Sequence, residues 1–178
     1  MLNLSFSFYP IFVRSAQAED MGNISIMLNR DLSNSNVVER KSISINKLRL
    51  RFIENYISDD DFFLKIQYEN EIIGIIKGRI NFDNSSVWIS MFYIEKDYRK
   101  RGIGKCVYSE VEKILHSEYM IDHISVSITL TEYEEFMFWH NLGFSINRIV
   151  NNFYDYYDEK LPMIILNKKL NIAIHKYN

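Results

Sequence analysis

The spacing of apolar and polar residues predicts alternating strands and helices in the centre of the chain. Ser86–Ile94 is a β-branched and aromatic run of strand length, and a polar break at 95–98 follows it. From Gly104 the apolar residues recur with the i, i+4, i+7, i+8 spacing of an amphipathic helix that ends near Ser117. Residues 121–128 are predicted to form a strand, because apolar residues alternate with Ser125 and Ser127 over 124–128. The predicted order here is strand, loop, helix and strand.

Similar patterns on both sides extend this prediction to a whole α/β domain. They predict strands at 9–14, 62–68, 72–82, 146–153 and 163–166, and helices at 16–29 and 45–57. Thr131 to Glu134 spell a capping box, and the helix that follows it is predicted to stop at Gly143, with the apolar Phe144 just beyond. The chain has 178 residues, 47% of them hydrophobic, and no linker-like tract divides it. We therefore predict one domain, residues 1–178, with a mixed sheet.

The most informative chemistry lies in residues 99–105, which we call the anion loop. Gly102 and Gly104 leave successive backbone N–H groups free to turn towards one anion, and a helix that begins there adds the positive end of its dipole. Four cationic side chains reinforce the charge, and Ile103 lies between the glycines. The cations are Arg99, Lys100, Arg101 and Lys105. These features predict a diphosphate-binding loop, although glycines that only form a turn remain an alternative.

The residue types at fixed positions exclude two other kinds of phosphate-binding loop. A Walker A loop ending at Lys105 needs glycine where Arg99 stands and a hydroxyl residue where Cys106 stands. A dinucleotide fingerprint that starts at Gly102 needs a small residue at Val107, and the acid about 20 residues on, Asp122, opens the next strand instead of closing it.

What remains is Arg-x-x-Gly-x-Gly between a strand and a helix, which resembles the acyl-CoA loop of the GNAT N-acetyltransferases. Trp139 to Phe144 also resemble the family's second motif, aromatic-x-x-x-Gly-Phe. The resemblance is strong over residues 86–144. It implies a GNAT-like fold, with a mixed central sheet flanked by about four helices and a splayed strand pair at the acyl-CoA site. It also implies an enzyme that moves an acetyl group from acetyl-CoA to a primary amine by direct attack in a ternary complex.

The resemblance also assigns roles to backbone and side-chain groups. By the family's spacing, the backbone amide of Phe92 faces the acyl carbonyl, and the backbone of Ile94 contacts the pantetheine arm. The family often has a tyrosine that protonates the leaving thiolate at the position of Trp139, whose indole cannot give up a proton at neutral pH. Tyr133, on the same helix, is a weak substitute that burial explains equally well.

The general base stays unassigned. Family members often carry an acid where this chain has Trp88, which cannot accept a proton. Glu95 is close by, but we interpret it as a solvated residue at the entrance of the anion loop. A water chain to Glu132 or to a loop carboxylate remains open.

A cationic acceptor is suggested by residues 154–159, where three carboxylates stand among three tyrosines. Asp155, Asp158 and Glu159 can hold an amine by charge, and the rings add cation–π attraction. A solvated acidic hairpin is the alternative. We expect a small-molecule or peptide amine as acceptor and leave a homodimer open.

Charge and composition exclude several other classes. The net charge is −2 with dispersed basic residues, so we expect no nucleic-acid partner, and no run approaches the roughly 18 apolar residues of a membrane span. Residues 1–13 are apolar, but no basic segment precedes them, and we expect a cytoplasmic protein in which Cys106 is a small helix residue. The four histidines lack zinc-site spacing, so no metal is expected. A CoA-binding regulatory module without turnover and an unrelated α/β protein are the remaining alternatives.

Overall fold

An eight-stranded mixed sheet forms the framework of the chain in a computed structural model that describes residues 1–33, 44–129, 133–156 and 159–170. Within these ranges the strands lie in the order β1-β2-β3-β4-β5-β6-β8-β7. The strands are β1 (Ser5–Phe8), β2 (Ile11–Ser15), β3 (Asp61–Tyr68), β4 (Glu71–Asn81), β5 (Ser86–Ile94), β6 (His123–Thr129), β7 (Ser145–Tyr156) and β8 (Glu159–Lys169). The α-helices are α1 (Met21–Ser33), α2 (Ile45–Ile57), α3 (Ile103–Tyr119) and α4 (Tyr133–Asn141). The predicted α/β fold with a mixed sheet and about four helices is confirmed.

The chain divides into two compact units. The first comprises Met1–Arg79 and Met91–Val111, and the second comprises Ile80–Ser90 and Glu112–Asn178. One domain over residues 1–178 therefore stays a prediction. No helix in the described ranges is both long and apolar enough to span a membrane.

In the first unit, helices α1 and α2 bury their apolar faces against strands β3 and β4. The core there is built from Met21, Ile24, Met27, Leu28, Leu48, Phe52, Phe63, Ile72 and Ile75. Strand β3 is buried along almost its whole length, and it has no free edge because it pairs with β2 on one side and with β4 on the other. Two of its polar residues form ion pairs: Lys65 with Asp20, at 2.6 Å, and Asp61 with Arg79, at 2.6 Å.

In the second unit, β6 pairs in parallel with the start of β5 and antiparallel with β8, which also pairs with β7. Ile124, Val126 and Ile128 are buried, and the serines between them are half-buried. The predicted alternation of this strand is therefore confirmed.

Four predicted elements have wrong bounds for identifiable local reasons, and β7 and β8 are also longer than the strands predicted at 146–153 and 163–166. The strand predicted at 9–14 is a hairpin, because Tyr9 and Pro10 form the turn between β1 and β2. Helix α1 begins at Met21 and not at residue 16, because Gln17 and Asp20 cap a 3-10 turn before it. Helix α3 starts at Ile103 and continues to Tyr119, whereas the predicted helix ran from Gly104 to near Ser117. Strand β6 begins at His123 and not at residue 121, because the Ile121 N–H donates to the Leu115 carbonyl at the end of this helix.

Part of the capping box predicted at residues 131–134 lies outside the described residues, and Glu132 belongs to that part. The helix stop at Gly143 is confirmed. Gly143 has φ +91, and the Phe144 N–H donates to the Trp139 carbonyl at 3.1 Å. This is a Schellman motif.

Candidate functional site

The anion loop connects the end of β5 to the start of α3 through two left-handed residues. Lys100 has φ +60 and Gly102 has φ +80. Helix α3 begins directly after them, and its first bond runs from the Cys106 N–H to the Gly102 carbonyl, at 3.1 Å. The N–H groups of the first helical turn have no acceptor within a helix, so they are available to an anion at this end.

The loop is open and basic. Arg99, Lys100, Arg101 and Lys105 are exposed, and a Cβ on Gly102 would meet no atom within 4 Å. Free space, positive charge and the positive end of the helix dipole therefore coincide. An anion such as a diphosphate fits this arrangement. Gly104 lies in the first helical turn, so of the two glycines only Gly102 lies in the left-handed region.

Two arginines of the loop contact tyrosine rings. The Arg99 guanidinium carbon lies 5.3 Å from the centroid of Tyr93, and that of Arg101 lies 5.5 Å from the centroid of Tyr98. The Arg99 Nε also donates to the Ile94 carbonyl at 2.6 Å. Arg99 thus ties the loop to the last residue of β5.

The end of β5 carries the two predicted backbone contacts, Phe92 and Ile94, which are both half-buried. The parallel pairing with β6 runs from Ser86↔His123 to Ile89↔Val126, whereas β5 itself continues to Ile94. The splayed strand pair that the resemblance implies stays a prediction.

Gly74 on β4 is a residue that the sequence analysis missed. A Cβ there would overlap the Tyr93 carbonyl oxygen and would approach the Ile94 Cα to 3.3 Å. Glycine therefore permits β4 to lie against the backbone of β5. The available signal was a glycine inside a strand pattern, which marks a close backbone approach.

Glu95 is not solvated, so our sequence interpretation of it was wrong. Only 3% of the residue is exposed, and its Oε1 accepts a hydrogen bond from Arg30 Nη1 at 2.5 Å. This hydrogen bond and the charge of Glu95 raise the pKa of Arg30. The sequence could not reveal the pairing, because 65 positions separate the two residues.

Trp139 and Tyr133, on α4, differ in burial. Trp139 is 3% exposed, and its ring lies edge-on to Phe144 with the centroids 5.0 Å apart. These two residues are the apolar pair that closes the Schellman motif. Tyr133 is 71% exposed, so burial does not account for it.

The proposed acceptor residues are only partly described. Asp155 lies on β7 and Glu159 on β8, in an antiparallel ladder where Tyr156 is opposite Glu159, whereas Asp158 lies outside the described residues. Cys106 is an exposed free thiol beside the anion loop. Among the described residues, no group of three or more His, Cys, Asp or Glu side chains could hold a metal ion.

Comparisons with known proteins identify the family and the fold. A family model described as an acetyltransferase (GNAT) domain matches residues 13–165. Among solved structures, a ribosomal L7/L12 α-N-protein acetyltransferase (RimL) in complex with coenzyme A is 10% identical, with a TM-score of 0.81 over 94% of this chain and 98% of that chain. A spermidine N-acetyltransferase chimera from Vibrio cholerae and hSSAT is 11% identical, with a TM-score of 0.78 over 90% and 95%.

A third similar structure is the ribosomal-protein-S5-alanine acetyltransferase from Vibrio fischeri. It is 16% identical, with a TM-score of 0.77 over 93% of this chain and 96% of that chain. At these identities the solved structures establish the fold.

Proposed function

Because this chain belongs to the GNAT acetyltransferase family, we propose that it is an N-acetyltransferase that moves an acetyl group from acetyl-CoA to a primary amine of a small molecule or peptide. The observation that carries the proposal is the anion loop, in which a left-handed Gly102 with open space around it leads into the start of helix α3. The diphosphate of acetyl-CoA has the charge and size that such a loop binds.

The residues present fit acetyl-CoA along β5 as well. The first-turn N–H groups of α3 and the exposed cations of the loop would hold the diphosphate. Backbone groups of Phe92 and Ile94 would hold the pantetheine arm, as an added strand is held. When it is bound, acetyl-CoA supplies an activated thioester.

The chain's own contribution to the reaction is orientation and charge stabilisation. A neutral amine attacks the thioester carbonyl in a ternary complex, and the carbonyl oxygen gains negative charge. The Phe92 N–H is the proposed donor to that oxygen. The Trp139 indole can donate a hydrogen bond but no proton, so the thiolate departs without general-acid help from this position.

A catalytically silent CoA-binding regulatory module is the second candidate. Two departures from the family pattern favour it, Trp88 where an acid is common and Trp139 where a tyrosine is common. Both positions carry aromatic residues without an acidic or basic group for catalysis, and Trp139 packs against Phe144.

We propose a positively charged acceptor, held by Asp155, Asp158 and Glu159. Proteins of similar fold are named for spermidine and for the amino termini of ribosomal proteins, so both small and peptide amines are reasonable acceptors. We also propose a cytoplasmic location and leave a homodimer open.

Calorimetric titration with acetyl-CoA, followed by a turnover assay, separates these candidates. Release of CoA thiol is measured against polyamines, aminoglycosides, amino acids and N-terminal peptides, in a Cys106→Ser background because the exposed Cys106 thiol would react with the thiol reagent. Binding with turnover supports the enzyme. Binding without turnover across the panel supports the regulatory module, and no binding overturns both.

The acceptor proposal has its own variant. Replacing Asp155, Asp158 and Glu159 by Asn, Asn and Gln removes charge with little change of shape, and we expect the acceptor KM to rise while the acetyl-CoA KM stays constant. Equal acceptor kinetics would show that the segment is only a solvated hairpin.

A further inference from the structure

We propose that the ion pair between Arg30 and the buried carboxylate of Glu95 positions the anion loop for acetyl-CoA. The proposal rests on the function proposed above and extends it to Arg30, a residue 65 positions from Glu95 along the chain. Arg30 acts here as a positioning residue, through Glu95 and the turn that follows it.

The side chain of Glu95 is fixed by helix α1. Its Oε1 accepts a hydrogen bond from Arg30 Nη1 at 2.5 Å, and the Glu95 side chain is 4% exposed while that of Arg30 is 53% exposed. The same Nη1 lies 3.7 Å from Glu71 Oε1, at the start of β4. Arg30 therefore bridges a carboxylate on β4 and a carboxylate at the end of β5.

The backbone of Glu95 carries this restraint into the loop. Its N–H donates to the Ile73 carbonyl at 2.8 Å, and its carbonyl accepts from the Tyr98 N–H at 2.9 Å. The 3-10 turn that follows, Lys96–Tyr98, closes with the Arg99 N–H donating to the Lys96 carbonyl at 3.1 Å. The anion loop begins at this last residue.

Tyr98 connects the turn to the same network. Its hydroxyl donates to Glu71 Oε2 at 3.0 Å, and its ring lies under the Arg101 guanidinium, 5.5 Å away. Arg30, Glu71, Glu95 and Tyr98 thus restrain the loop from its entrance to Arg101. This set is called the loop anchor below.

Burial makes the charge at position 95 consequential. Taking a carboxylate out of water is costly, and of this pair only the Glu95 side chain is buried, because that of Arg30 is 53% exposed. The Glu95 Oε2 atom has no hydrogen-bond partner within the part of the chain that the structure describes. Because the buried carboxylate carries this desolvation cost, we assign the value of the pair to geometry. A single strong, directional contact fixes where the turn begins.

The chain offers a matched control in the ion pair of Arg79 and Asp61. The Asp61 side chain is 3% exposed and the Arg79 side chain 67% exposed, and the Nε–Oδ1 and Nη2–Oδ2 distances are 2.6 and 3.0 Å. Asp61 and Arg79 are cross-strand partners at one end of the β3/β4 ladder, and Tyr68 and Glu71 are the partners at its other end. The control has the same chemistry and comparable carboxylate burial, but it is not part of the loop anchor.

The experiment compares Arg30→Met with Arg79→Met. We expect both variants to lose thermal stability, because each leaves a buried carboxylate without its partner. We expect the acetyl-CoA Kd to rise about tenfold in Arg30→Met, since small misplacements of a binding group have effects of this order or larger, and to stay within about twofold in Arg79→Met. In steady-state kinetics Arg30→Met raises the KM for acetyl-CoA and leaves the KM for the acceptor unchanged.

Two further variants keep the test decisive if Arg30→Met fails to fold. Glu95→Gln retains an acceptor for Arg30, so its acetyl-CoA affinity should fall less than that of Arg30→Met. The double variant Arg30→Met with Glu95→Leu removes both charges, so it should fold and still bind acetyl-CoA about tenfold more weakly.

The outcomes separate this inference from the proposed function. If the wild-type protein does not bind acetyl-CoA, the proposed function is wrong and the positioning role is wrong with it. If the wild type binds but the folded Arg30 variants bind equally well, the positioning role alone is overturned. An equal loss in Arg79→Met would also overturn it, because the effect would then be one of general stability.

Discussion

Two segments of this chain match motifs of the same family, and their surroundings differ sharply. The anion loop is exposed, basic and partly left-handed, with open space beside Gly102. Trp139, in the second motif, is 3% exposed and packs edge-on against Phe144, which is 2% exposed. The first motif is therefore an exposed, basic loop at a helix start, whereas the second packs two aromatic rings together at a helix C-terminus.

This difference indicates that the two motifs have different physical roles. The glycine of the loop is needed for a backbone conformation that leaves N–H groups free for a ligand. The aromatic residue and the Gly-Phe pair at 139–144 are explained by helix termination, since the Schellman motif requires Gly143 in the left-handed region and an apolar contact across it. We therefore expect substitutions in the loop to change binding and substitutions at Trp139 to change packing.

The largest expected effect is loss of acetyl-CoA binding in Gly102→Asp. A carboxylate there would stand in the anion site, and the open space admits the side chain without a clash. The control is Gly102→Asn, which has the same shape and tolerates positive φ but carries no charge. We expect calorimetry to detect no binding by the Asp variant and only a modest loss for Asn, with similar melting temperatures. Unchanged affinity in Gly102→Asp would show that the loop does not bind the diphosphate. Gly104→Asp should act in the same way.

Gly74→Ala tests whether the end of β5 must lie against β4. Its new methyl group would overlap the Tyr93 carbonyl, and backbone cannot yield as a flexible side chain does. We expect a stability loss of about 1–3 kcal/mol and weaker acetyl-CoA binding. Gly22→Ala is the control, because its Cβ would meet only Ile45 Cδ1, at 4.0 Å, and an alanine suits a helix. If Gly74→Ala matched Gly22→Ala in both measurements, the close approach would not matter.

Trp139→Phe should affect stability more clearly than catalysis. We expect a loss of about 1–2 kcal/mol in urea unfolding and a fall in kcat of at most about tenfold, the equivalent of one hydrogen bond of roughly 1.4 kcal/mol. Phe144→Leu is the packing control, since it removes the other ring of the same contact. A thousandfold fall in kcat for Trp139→Phe, with intact fold and normal acetyl-CoA affinity, would assign Trp139 a direct role in the reaction.

The smallest effect is expected for Tyr98→Phe, which removes the hydrogen bond to Glu71 but keeps the ring beside Arg101. We expect the free energy of unfolding to fall by about 1 kcal/mol or less and the acetyl-CoA affinity to change by less than about threefold. Burial, and then the hydrogen bond to Glu71, raises the pKa of Tyr98. The Tyr98 phenol therefore makes its full contribution to the free energy of unfolding below the ordinary tyrosine pKa of about 10. That contribution is lost as the pH rises through the raised pKa of the folded state. Urea unfolding of the two proteins should differ at pH 8 and converge at strongly alkaline pH. A difference that persisted there would mean that the protonated hydroxyl is not the source.

Much of the fold was predictable because it depends on local patterns. Ser86–Ile94 and Ile45–Ile57 were predicted with the observed bounds, since each is a run rich in apolar residues that polar residues bound at both ends. The first strand was wrong because the turn at Tyr9 and Pro10 is short and flanked by apolar residues on both sides. The segment at 154–159 stays a prediction, and Asp158 lies outside the described residues.

The sequence by itself determined the anion loop, because glycine at position 102, the cations around it and the helix start are all written within seven consecutive residues. Only the tertiary structure decided the surroundings of Glu95 and Gly74. Each depends on a partner brought close by folding: Arg30 for the buried carboxylate and the Tyr93 carbonyl for the glycine. The burial of a side chain depends on the elements packed around it. The sequence alone therefore could not show that Glu95, a polar residue beside a loop, is buried and paired with Arg30.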